Sequence, residues 1–92
     1  MKRESYDKAR MLVSRIDELS DSANMVSEIL ESVKKNGGIA KIYTHTGGTN
    51  YETELASKSL EVVFADVLNS YHALIRDAKN EIDNLIEGVI KG

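Results

Sequence analysis

Two adjacent glycines, Gly47 and Gly48, sit between two runs rich in Ile, Tyr and Thr, Ile39–Thr46 and Thr49–Leu55. Strand-forming runs joined by two glycines read as a β-hairpin with a primed turn, because both central residues of such a turn need positive φ. The two-residue turn then fixes every pairing: Thr46 with Thr49, His45 with Asn50, Thr44 with Tyr51, Tyr43 with Glu52, Ile42 with Thr53, Lys41 with Glu54, and Ala40 with Leu55. One face collects Ala40, Ile42, Thr44, Tyr51, Thr53 and Leu55. The other collects Lys41, Tyr43, His45, Asn50, Glu52 and Glu54. This register places a Thr–Thr pair and an opposite-charge pair across the ladder, both favourable neighbours. It also separates an apolar face from a polar face.

The hairpin interrupts two helical patterns. Ala9, Leu12, Ile16, Leu19, Ala23, Val26, Leu30 and Val33 recur in alternating steps of three and four, the rhythm of a helix packed lengthwise on another. Val13 and Ile29 widen the stripe toward that of a bundle helix. Lys34 and Lys35 complement the helix dipole, and the glycines at 37 and 38 offer a left-handed cap. Beyond the hairpin, Ser57 is expected to be the N-cap of a second helix, with Glu61 in its first turn. Leu60, Phe64, Val67, Tyr71, Leu74 and Ala78 keep the three-four rhythm, and Ile82, Leu85 and Val89 resume it after a stutter. Val63, Leu68, Ile75, Ile86 and Ile90 form a second stripe.

The expected fold is therefore mainly α with a short β-hairpin: a helix over about 5–35, a hairpin over about 39–55 and a helix over about 58–90, in one domain spanning 1–92. Helices of this length run roughly 45–50 Å at 1.5 Å per residue. One antiparallel pair cannot cover both stripes of the second helix, so the chain is expected to assemble with itself, most simply as a dimeric four-helix bundle. Leu60, Phe64, Val67, Tyr71, Leu74, Ile75 and Ile82 are the expected oligomer interface.

Composition narrows the function classes. The chain has no cysteine, which removes disulfides, thiolate metal sites and a thiol nucleophile. Neither of the two histidines, His45 and His72, has a second histidine or a glutamate at metal-ligand spacing, and no cofactor or metal is expected. A net charge of −3 opposes nucleic-acid binding, for which a basic face is usual. No apolar run approaches a membrane span, and the polar N-terminus has no signal-peptide pattern, so a soluble cytoplasmic protein is expected. Lys2, Arg3, Lys8, Arg10 and Arg15 are expected near an acidic set, Asp77, Glu81, Asp83 and Glu87, in an antiparallel pair; charge matching accounts for both, and a basic end that attracts an anionic ligand is the alternative.

Catalysis needs a positioned pair of groups in an enclosed site, and no such pair is visible, so the chain is expected not to be an enzyme. The candidate ligand-binding residues are Tyr43, His45, Thr46, Gly47, Gly48, Thr49 and Asn50. They combine hydroxyls, an amide, an imidazole and glycine amides able to approach a phosphate closely. The stretch is not a P-loop, since no Gly-Lys-Ser/Thr is present.

Gly37-Gly38-Ile39, the Thr46-Gly47-Gly48-Thr49 turn and the run Glu81-Ile82-Asp83-Asn84-Leu85-Ile86 occur in an order that resembles a class of short bacteriophage and prophage proteins of unknown function. Small oligomeric phage proteins include sponges that hold cyclic nucleotide or related immune signals between subunits, and others that block a defence protein. The resemblance implies a non-enzymatic antagonist of host defence in the host cytoplasm. It would sequester a small phosphate-bearing nucleotide or, alternatively, act as a protein-binding inhibitor or scaffold through its helical surface.

Overall fold

The computed structural model describes residues 3–91, with side chains described as far as residue 88. The order is α1 (Arg3–Asn36), β1 (Ile39–Thr46), β2 (Thr49–Ala56) and α2 (Ser57–Lys91). The chain is mainly helical, with a two-stranded antiparallel hairpin between its two helices. Its contacts fall into two units, Met1–Met25 with Asn69–Gly92, and Val26–Leu68. Lys2, named above among the basic residues, lies outside the described residues, as do the side chains of Val89 and Ile90.

In the first unit the two helical segments run antiparallel. Lys8, Leu12 and Arg15 of α1 share one surface depression with Glu81, Ala78 and Leu74 of α2, so numbering rises on one helix as it falls on the other. Lys8 and Arg15 line this depression together with Asp77 and Glu81. The seam of α1 is the covered stripe: Ala9, Leu12, Ile16 and Leu19 are half-buried and Ala23 is buried. Among the described residues of this unit only the small side chains of Ala23 and Ala78 are buried, and the larger apolar ones keep part of their surface in water.

The second unit is built around two chain reversals. At the first, the Gly37 amide donates to the Val33 carbonyl at 2.8 Å while Gly37 takes φ 71°, the left-handed C-cap that β-carbon-bearing residues resist. Gly38 follows with Val33 and Leu60 against it. A methyl group there would stand 3.5 Å from Val33 Cγ2 and 3.7 Å from Leu60 Cδ2. Leu30, Val33 and Leu60 are the buried residues of this unit. At the second reversal Ser57 takes φ 49° and donates its amide to the Gly38 carbonyl at 3.0 Å.

Two expectations about α2 are corrected here. An N-cap residue has extended backbone geometry, whereas Ser57 is a left-handed corner tied to Gly38. The helix begins at this corner and its first turn has no acidic residue, so Glu61 lies beyond the reach of the N-terminal partial charge. A third correction concerns Leu60. At 3% exposure it belongs to the chain's own core and has no surface to offer a second subunit. Of the other residues expected at an oligomer interface, Phe64, Val67, Tyr71, Ile75 and Ile82 are half-buried and Leu74 is exposed.

Candidate functional site

The hairpin ladder follows from its turn. Gly47 and Gly48 adopt φ 58° and 76°, the two positive values of a primed turn whose twist matches that of the flanking strands. Every pair from Thr46–Thr49 to Ala40–Leu55 is as the turn dictates, and one more pair, Ile39–Ala56, closes the base. Ala40 and Leu55 at that base are half-buried; from Lys41 to Glu54 every residue is exposed.

The pleat divides the candidate residues. Tyr43, His45 and Asn50 share one face, because Tyr43 and His45 are two apart on β1 and Asn50 pairs with His45. Thr46 and Thr49 point to the opposite face, alongside Thr44 and Tyr51. The seven residues therefore lie on both faces of the ladder, with Thr46 and Thr49 next to His45 and Asn50 around the tip. Gly47 and Gly48 offer amides at the tip between the two faces.

On the first face, His45 Nδ1 lies 2.6 Å from Asn50 Oδ1. An amide oxygen can only accept, so in this contact the donor is Nδ1–H. Tyr43, 72% exposed, stands beside them with its ring in solvent. Lys41 Nζ is 3.9 Å from Glu52 Oε1, a diagonal contact in place of the expected bond to its direct partner Glu54. Both side chains are more than half exposed, so the pair contributes little to stability.

On the second face Ile42, Thr44, Tyr51 and Thr53 are all exposed. Threonine hydroxyls at 44, 46, 49 and 53 outnumber the aliphatic side chains on this face, and that composition was the available signal for a wet surface.

His72, the other histidine, is exposed on α2 and lines a shallow depression with Ile75, Arg76, Lys79, Asn80 and Asp83. Among the described residues no group of three or more His, Asp or Glu side chains is placed to hold a metal ion, and no helix is long and apolar enough to cross a membrane. No protein-family model, curated protein or solved structure matches the chain.

Proposed function

We propose that this chain is a non-enzymatic binding protein that works as a homo-oligomer and recognises a protein partner through its hairpin. The observation that supports this reading is the exposure of the whole ladder from Lys41 to Glu54. An isolated two-stranded hairpin is marginal in water, and among the described residues of this one only Ala40 and Leu55 are half-buried. A protein surface laid over Ile42, Thr44, Tyr51 and Thr53, or a strand added to a free edge of β1 or β2, would supply the missing cover. A small molecule fits less well, since ligand pockets are concave and this surface is an open ladder.

Sequestration of a phosphate-bearing nucleotide is the second reading, favoured by one feature. Tyr43 supplies a ring for stacking beside the His45 imidazole and the amides of the turn. A neighbouring subunit would have to complete the enclosure. Antagonism of host defence, in the host cytoplasm, is the setting that the likeness to small phage proteins adds to either reading.

Tyr51→Glu and Gly47→Val, compared with the native chain, separate the readings. The proposal expects a partner protein captured by the native chain and lost in Tyr51→Glu, with no change in melting temperature across a panel of cyclic nucleotides. A concentration-dependent rise in melting temperature, abolished by Tyr43→Ala, would establish the nucleotide reading instead. Capture unaffected by either hairpin variant would move recognition off the hairpin.

A further inference from the structure

A groove in the first unit is built by Tyr6, Ala9 and Val13 of α1 and Ile82 and Ile86 of α2, with a volume of about 410 Å3. Tyr6, Val13 and Ile86 are 53%, 50% and 44% exposed, so the groove is a long apolar strip open to water. Arg10 lies along it with its guanidinium 5.9 Å from the Tyr6 ring centre, a cation–π contact that holds the ring at the rim. We propose that this groove is the seat of a second copy of the chain, whose own groove faces it across a two-fold axis.

Two observations point to a second copy as the occupant. The first is area. The chain exposes 7187 Å2 for a mass of 10.2 kDa. A compact monomer of that mass exposes about 5,300 Å2, an excess here of roughly 1,900 Å2. That excess is more than twice the ~800 Å2 each partner buries in a standard interface and lies in the range of obligate homodimers.

The second is charge. A two-fold interface must be complementary to itself, so each rim has to carry both signs. Arg10 and Asp17 are seven residues apart on the outer edge of α1, and Arg76 and Asp83 are seven apart on that of α2, with Lys79 between them. All five are exposed. Because numbering runs oppositely on the two helices, Arg10 is level with Asp83, and Asp17 with Arg76. A copy turned about an axis along the helices brings α1 against the partner's α2 with opposite charges facing at both levels. The apolar strips of the two copies then close on each other.

The inference rests on the homo-oligomer reading above and goes further by naming the face. The chain has no cysteine, so Val13→Cys, Ile86→Cys and Met11→Cys each carry one thiol. Met11, 73% exposed, is not among the groove residues and serves as the control. Labelling with a small maleimide is followed over a dilution series, with mass measured by light scattering. The expected result is labelling of Val13→Cys and Ile86→Cys at least about tenfold slower at high than at low protein concentration, with Met11→Cys fast throughout. A multimeric mass with Val13→Cys and Ile86→Cys fast at every concentration would overturn the groove and leave the oligomer standing. A monomeric mass with all three thiols fast would overturn both.

Discussion

The Ser57 amide donates to the Gly38 carbonyl at 3.0 Å, one step below the last ladder pair, so the corner where β2 becomes α2 is tied to the corner where α1 gives way to β1. Holding that bond keeps Ser57 at φ 49°, a conformation that costs a residue with a β-carbon about 1 kcal/mol. Ser57→Gly is expected to keep the bond, relieve the strain and leave stability unchanged or raised by up to about 1 kcal/mol. Ser57→Pro loses the donor and cannot reach positive φ, and should destabilise by more than about 1 kcal/mol. Chemical denaturation followed by circular dichroism checks both.

Gly37 and Gly38 are neighbours with opposite requirements. Gly37 sits at φ 71°, and Gly37→Ala should cost roughly 1–2 kcal/mol. Gly38 lies outside the left-handed region, and an added methyl would make ordinary contacts with Val33 and Leu60. Gly38→Ala should therefore stabilise by about 0.4–1 kcal/mol through the loss of unfolded-chain freedom. Equal losses from both substitutions would contradict this assignment of the cap.

Leu60 anchors the second unit, and Leu60→Ala is expected to cost about 2–5 kcal/mol. Met11→Ala, on an open face, should stay within about 0.5 kcal/mol of the native chain. Comparable effects from the two would mean that the small core of Leu30, Val33 and Leu60 is not what holds this unit.

At the hairpin tip, Gly47→Val places a β-branched residue at φ 58° and should lower stability and loosen the ladder. Tyr43→Ala and His45→Ala remove exposed side chains and should leave the melting temperature and the oligomer mass unchanged. Hydrogen exchange of the β1 and β2 amides distinguishes the two kinds of variant: faster in Gly47→Val, native-like in the others.

These features differ in how far the sequence revealed them. The ladder register was legible because a two-residue glycine turn leaves no freedom once both glycines take positive φ. The α1 seam was legible because the three-four rhythm from Ala9 to Val33 maps directly onto one covered stripe. The start of α2 was misread, since Ser57 suits an extended N-cap locally, while its bond to Gly38, nineteen positions earlier, sets its backbone. Exposure of the Ile42–Tyr51 face was not legible for a related reason. Alternation tells which side chains share a face, but only the surrounding chain decides whether that face is covered. The candidate residues stand on both faces of the ladder, an arrangement that the alternation of the pleat makes legible in the sequence.

The proposal stands on assembly: second copies of the chain would cover the exposed apolar residues Tyr6, Val13 and Ile86. Light scattering of the native chain at micromolar concentration tests this most directly. The account predicts a mass at least twice 10.2 kDa, falling toward the monomer on dilution or in Val13→Glu. A single 10.2 kDa species that melts cooperatively and is insensitive to concentration would contradict it.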